Sequence, residues 1–363
     1  MTRAMKLMSA MTLGAALLLG CGGGGGTAEM PATQVPNTPV DSMALRLAAL
    51  DQRIVNDPAD AAAYAERAAF YGSIDSSRRA LADIERALTL DSDKVEYRLR
   101  AGDLNYAVLN VERARQHFTR AGELTPDDPR PRLKLAEIEL VLRHYKESMA
   151  MVNEALRKDP NVAHGYYLKG WIHMETRDTN LAISSFRTAV EQDPQDYDAY
   201  LMLAKLSAAR RDPLAEQYFN TAIDMRPGQV EAIYNKAIYY QENGNDSLAL
   251  ACYDRIQEID PRNPLAWYNR GWVKLEHLGD PNGAKKDFDK AIELQTNYAD
   301  AWYNRGVAME RTQQPDSAAA NYQICLTIDP GHTLAAMGLD RMAKQGVRIK
   351  LREKGAAAGT KKP

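Results

Sequence analysis

The sequence predicts an all-α solenoid of about eight two-helix units with flanking capping helices, and three observations carry that prediction. The hexapeptide Ala-Trp-Tyr-Asn-Arg-Gly at 266–271 is repeated letter for letter at 301–306, 35 residues on, in a chain with only four tryptophans. From residue 61 a small residue is followed 12 positions later (occasionally 11 or 13) by a second and seven later by a third, and the set recurs every 34 residues or so. Asp-Pro pairs at 159–160, 193–194, 260–261 and 329–330 close the period, where proline ends a helix and restricts the residue before it. Self-similarity at such a period marks stacked supersecondary units.

Composition agrees with a folded body: 45% of the 363 residues are hydrophobic and 26% charged. A net charge of −2 removes the electrostatic reason to expect a nucleic-acid partner.

The N-terminal residues 1–20 read as an export signal. Arg3 and Lys6 precede an apolar run from Leu7 to Gly20, shorter than the roughly 20 residues that span a bilayer as a helix. Leu18-Leu19-Gly20-Cys21 resembles the lipobox of bacterial lipoproteins. The resemblance implies cleavage before Cys21, a thioether-linked diacylglycerol on its sulfur and further acylation with a fatty acid such as palmitate. Gly22, in place of aspartate, implies the outer membrane. An ordinary signal with an incidental cysteine is the plainer alternative. Residues 21–40 hold five consecutive glycines and three prolines and are expected to form a flexible tether averaging about 25 Å end to end.

Residues 41–60 place Leu47, Leu50 and Ile54 on one helical face and are expected to form an N-terminal capping helix. The eight units span 61–332, with starts at 61, 95, 129, 163, 197, 230, 264 and 299. At unit positions 8, 20 and 27, where the two helices should approach most closely, 21 of 24 residues are Gly or Ala; Ser148, Cys325 and Ile256 are the exceptions. Only Ile256 is bulky, so the assignment of the repeat does not rest on chance. A C-terminal capping helix is expected over 333–346, because an end unit otherwise exposes an apolar face. The tail, 347–363, is basic and expected to be disordered, either as a solvated end or in contact with anionic lipid or cell-wall polymer.

This pattern resembles the tetratricopeptide repeat, whose consensus runs close to W-x2-L-G-x2-Y, A-x3-F, A, P. The eighth unit matches it with Trp302, Gly306, Ala318, Tyr322 and Pro330, and the fourth with Tyr166, Gly170, Ala182, Phe186, Ala189 and Pro194. The resemblance implies a right-handed α-α superhelix whose first helices line a concave groove through positions 2, 5, 6, 9, 12 and 13. The candidate peptide-binding residues are then Tyr167, Trp171, Tyr234, Asn235, Tyr268, Asn269, Trp272, Tyr303 and Asn304. Position 4, held by Tyr166, Trp267 and Trp302, belongs to packing.

Asparagine offers a donor and an acceptor together. Asn235, Asn269 and Asn304 resemble the asparagine ladder with which some superhelical members hold extended peptides; recent duplication would also account for the repeated letters. Arg270 and Arg305 are expected to pack their stems while the charge reaches water. Glu231, Glu242, Glu276, Asp300 and Glu310 against Arg311 make the expected lining acidic, which suits a neutral or basic segment. The basic clamp that certain members use for chaperone carboxylates is not matched.

No catalytic motif, metal-ligand spacing or cofactor signature is present: the six histidines fall in different units, and Cys252 and Cys325 lie two units apart. The expected protein is not an enzyme. It is expected to be a lipid-anchored envelope scaffold, facing the periplasm as the lipoprotein resemblance implies, that binds a protein or peptide in its groove. The alternative is a subunit of an envelope machine that docks through its convex face or ends.

Overall fold

The computed structural model describes residues 39–347. The candidate signal, Cys21, most of the expected tether and the tail beyond Val347 lie outside the described residues. Eighteen helices and no strand occur among them. A leading helix, α1 (Pro39–Asn56), is followed by eight antiparallel pairs: α2/α3 (Ala61–Ser73, Ser77–Leu90), α4/α5 (Val95–Ala107, Val111–Leu124), α6/α7 (Pro129–Val141, Tyr145–Lys158), α8/α9 (Ala163–Glu175, Thr179–Gln192), α10/α11 (Tyr197–Ala209, Leu214–Met225), α12/α13 (Val230–Glu242, Asp246–Ile259), α14/α15 (Pro264–Glu276, Pro281–Leu294) and α16/α17 (Ala299–Arg311, Pro315–Ile328). A last helix, α18 (Thr333–Lys344), closes the order. The chain divides after Pro194 into two bodies of four pairs each.

Within each body the helix pairs are fixed by steric demand at position 8. Gly170, Gly271 and Gly306 face aromatic rings of their own second helices; a Cβ at these positions would stand 2.6 Å from Phe186, 2.9 Å from Phe288 and 2.6 Å from Tyr322. Real Cβ atoms essentially never come so near, so the ring occupies the space that glycine leaves. Ala68, Ala80 and Ala87 are fully buried in the first pair, and Ala237, Ala249 and Ile256 in the sixth. The bulky Ile256 is thus accommodated in the core.

Turns follow a second rule. The residue two places beyond the first helix is left-handed in pair after pair: Asp75, Leu109, Arg143, Arg177, Arg211, Gly244 and Gln313, with Gly279, three places beyond, in the remaining pair. For a residue with a Cβ that conformation costs on the order of 1 kcal/mol, which glycine escapes. Second helices begin or first helices begin on capping side chains; Asp60, Asp128, Asp178, Asp196, Asn263 and Asp280 each accept a backbone N–H of the first turn. Leu50 of α1 is buried, with Leu47 and Ile54 half-buried.

Adding one methyl group at position 170 is expected to cost about 1–3 kcal/mol through overpacking. Gly170→Ala should therefore melt at a lower temperature than the parent chain, and Gly170→Ala/Phe186→Leu should recover part of the loss; circular dichroism melts of both check this.

Candidate functional site

The duplicated hexapeptide can be read residue by residue in the second body. Trp267 and Trp302, at position 4, donate their indole N–H to the carbonyls of Pro261 (3.2 Å) and Thr296 (2.8 Å), pinning the turn that precedes their helix. Tyr166 does the same to Pro160 in the first body, at 2.9 Å. Arg270 and Arg305 lie over those indoles, 4.6 and 4.3 Å from the ring centres. Both side chains are largely buried and their charge is met by acceptors of the protein. Arg270 forks onto the buried carboxylate of Asp287 and also donates to Asp254 (2.6 Å) and Gln257 (2.7 Å), while Arg305 donates to Asn321 (2.8 Å) and Asp289 (2.7 Å). The expectation of snorkelling fails because both second helices supply acceptors within reach of the guanidinium.

Position 5 shares a stripe with position 8, three residues on, and so faces the aromatic ring of the second helix. Tyr234 packs on Tyr253, Tyr268 on Phe288 and Tyr303 on Tyr322, with ring centres 5.7–6.3 Å apart. These three tyrosines are half-buried. In the first body the same rule withdraws Tyr167 from the surface entirely. Tyr167, Trp171 and Phe186 form a cluster of edge-to-face rings, 5.6–6.4 Å between centres, in which Tyr167 and Trp171 are buried. These two residues are core, not groove: Gly170 lets Phe186 approach, and both neighbouring rings close over it.

The asparagines divide likewise. Asn269 donates to the Tyr234 hydroxyl at 2.9 Å and to the Leu265 carbonyl of its own helix at 2.9 Å; Asn304 donates to the Tyr268 hydroxyl at 2.9 Å. Each amide is thereby a rung between adjacent first helices, and Asn304 is buried. Asn235 bonds only within its helix, to the Glu231 carbonyl at 2.8 Å, and is half-exposed. Burial raises the Tyr234 and Tyr303 hydroxyls and pushes that of Tyr268 up to about 12, so all three keep their proton at neutral pH. A phenol that accepts from asparagine still has that proton to give, and each amide keeps its carbonyl oxygen as an acceptor. Trp272 is half-buried and meets His277 edge-on at 4.9 Å.

The acidic lining is largely neutralised. Glu231 pairs with Lys205 (3.2 Å), Glu276 with Arg311 (2.8 Å), Asp300 with His332 (3.3 Å) and Glu310 with Arg341 (2.9 Å), all across neighbouring helices. Of the five acids only Glu242 lacks an ion pair among the described residues. The sequence reading missed the corresponding chain in the first body, Asp103–Lys134–Glu137–His164, in which Lys134 stands 3.1 Å from Asp103 and 3.6 Å from Glu137, and Glu137 bonds to His164. Burial pushes Glu137 up, but His164 and Lys134 outweigh it and hold the carboxyl below its ordinary range. The signal lay in charges at positions 9 and 6, or 9 and 2, of successive repeats.

Three models described as tetratricopeptide repeat match the chain, over residues 167–230 and 274–333, 110–172, and 230–263. The chain belongs to the tetratricopeptide repeat family. Among curated relatives, anaphase-promoting complex subunit 3 of Schizosaccharomyces pombe is 23% identical over 209 residues, covering 57% of this chain and 31% of that protein. The Hsp70-Hsp90 organizing protein of Triticum aestivum is 22% identical over 258 residues, 68% of this chain and 43% of the other. This chain spans less than half the length of either. Among solved structures, the C-terminal part of a tetratricopeptide repeat protein from Cytophaga hutchinsonii superposes with a TM-score of 0.56 at 20% identity, covering 66% of this chain and 99% of that one. Likeness at that identity shows the tetratricopeptide fold.

No group of three or more metal-ligating side chains occurs among the described residues. Cys325 is buried and Cys252 half-buried, both with free thiols.

Loss of the Asn304 rung removes a donor from inside the stack. Asn304→Ala should lower stability by about 1–2 kcal/mol, while Asn235→Ala, which breaks only a bond within its own helix, should change it by less than about 0.5 kcal/mol. Urea unfolding of the two variants checks the difference.

Proposed function

We propose that this tetratricopeptide repeat protein is a lipid-anchored scaffold of the bacterial envelope that holds an extended peptide or protein segment against the first helices of its second body. One observation carries the peptide reading: three tyrosine edges, one repeat apart, each held in place by an asparagine rung or a neighbouring ring. Rigid aromatic edges recognise a ligand at low entropic cost. The phenol protons are donors and the carbonyl oxygen of half-buried Asn269 is an acceptor, which suits the N–H and C=O groups of an extended backbone. Trp272 and half-exposed Asn235 lie on the same helices and add an aromatic anchor and a further amide.

Because three of the five lining acids are already paired with lysine or arginine, the segment bound is neutral or carries a basic side chain near Glu242 or Asp300. The name of the Triticum aestivum relative, an organizing protein of two chaperones, supports a role in bringing proteins together. Support for the anchor comes from the sequence, through Leu18-Leu19-Gly20-Cys21 and the glycine run after it. Two or three acyl chains hold a protein firmly to a bilayer where one does so only marginally. On this reading the protein faces the periplasm and works in envelope assembly or in recruiting envelope enzymes.

Peptides selected from a displayed random library against the full chain supply a binding assay. Trp272→Ala combined with Asn235→Ala should weaken the selected peptides by about 30-fold or more, as loss of a central aromatic anchor does, with helicity retained and only a modest drop in melting temperature, because Trp272 also packs on the core. Equal binding by parent and variant would move the site elsewhere.

Cys21→Ser should abolish incorporation of labelled palmitate and shift the protein from the membrane pellet to the soluble fraction. A variant that still incorporates the label would refute acylation at Cys21.

A further inference from the structure

The turns of the first body differ in chemistry between its two edges. One edge carries the turns inside the repeats, the other those between repeats, because successive helices alternate in direction. The inter-repeat turns, residues 57–60, 91–94, 125–128 and 159–162, hold seven aspartates and one lysine. The intra-repeat edge is apolar and cationic. Ile74, Val108, Leu109, Leu142 and Leu181 are exposed there, Leu109 at 63%. Met43 and Leu45, also exposed, join them from the start of α1, which packs on α2 in the place of a second helix and therefore begins at this edge. Of the large hydrophobic side chains exposed in the first body, only Val55 lies at the opposite edge.

Cations are interleaved with these side chains. Arg78, Arg79, Arg113, Arg143, Lys146 and Arg177 are exposed in the turns or the first turn of the following helix, against four acids in the same stretches. Arg143 and Arg177 occupy the left-handed tips and form no ion pair among the described residues. Leu109 occupies the equivalent tip, where neither burial nor backbone preference favours leucine. The described chain enters at Pro39 on this same edge, preceded by the 38 residues that include Cys21.

We propose that the intra-repeat edge of the first body docks on an anionic phospholipid surface, with its aliphatic tips in the headgroup layer and its arginines on lipid phosphates. Aliphatic and cationic side chains together are what such an interface selects, and the acidic edge is turned away by the same field. The proposal rests on the lipid-anchor reading for the high local concentration of bilayer, but the contact itself belongs to the folded body.

The test is amide hydrogen exchange of the full chain, purified from membranes and mixed with vesicles of phosphatidylglycerol and phosphatidylethanolamine or of phosphatidylcholine alone. Protection is expected in 74–79, 108–113 and 142–147 on the anionic vesicles, not in 91–94 or 125–128, and it should weaken with salt. Each of Arg143→Gln and Arg177→Gln should weaken docking about fivefold, and Leu109→Glu/Leu142→Glu should remove the protection while the protein still floats with the vesicles. Flotation with no protection of these turns would overturn the docking and leave the anchor standing. Failure to float with phosphatidylcholine vesicles, with protection still gained on anionic ones, would refute the anchor and keep the docking; failure of both would refute both. Protection that grows with protein concentration in the absence of vesicles would assign the edge to a second copy of the chain and overturn the proposal.

Discussion

Everything in this molecule depends on how closely the two helices of a repeat can approach. Gly or Ala at position 8 lets the second helix place a large ring against the backbone of the first, and that contact fixes the rotation of the first helix about its own axis. Once rotation is fixed, position 4 must face the preceding turn, position 5 must lie on the ring and position 6 must point to the neighbouring repeat. The duplicated hexapeptide therefore encodes one packing solution used twice: tryptophan ties the turn, tyrosine covers the ring, asparagine bridges to the previous tyrosine, arginine brackets the second helix and glycine admits the ring.

The fold was legible because its determinant is a size rule with a fixed period. Small side chains at three positions per repeat survive the variation of nearly everything else, and proline at the closing turn adds chemistry that no helix interior tolerates. The site was less legible because exposure at positions 5 and 9 is decided by residues on the other helix. Tyr167 and Tyr268 occupy the same repeat position, yet Tyr167 is buried beneath Trp171 and Phe186 whereas Tyr268 keeps its hydroxyl available to Asn304. Helical spacing within one element carries no information about that. The fate of Arg270 was hidden for the same reason, since its acceptors Asp254 and Asp287 lie 16 and 17 residues away on other helices.

Charge shows the same dependence on neighbours. A count along the first helices of the second body gives an acidic face, but the stacking places a cation of the adjacent repeat beside Glu231 and Glu276 and one of the last helix beside Glu310. Pairs of exposed ions are worth little individually, roughly 0–1 kcal/mol each. If the proposed peptide site holds, their effect is on recognition more than on stability, since a lining whose charges answer one another leaves directional hydrogen bonds and ring edges to select the ligand. Arg67 illustrates the structural extreme, forking onto nearly buried Asp83 and reaching Asp51 of α1, so that it joins the first repeat to its cap.

A repeat that is constrained at its helix contacts is free at its turns, and the two kinds of turn have used that freedom differently. Turns between repeats must cap the next helix, which selects aspartate and asparagine through their bonds to free N–H groups. Turns within repeats all carry a left-handed residue, a demand that glycine meets best and that Leu109, Arg143 and Arg177 meet at a cost, and only Asp178 and Asp280 also cap the second helix with a side chain. Retaining leucine and arginine where the backbone favours glycine is therefore uneconomical for folding alone. The two edges of one stack can thus acquire opposite character without any change in its core, because the helix contacts that hold the core place no demand on the chemistry of the turn tips.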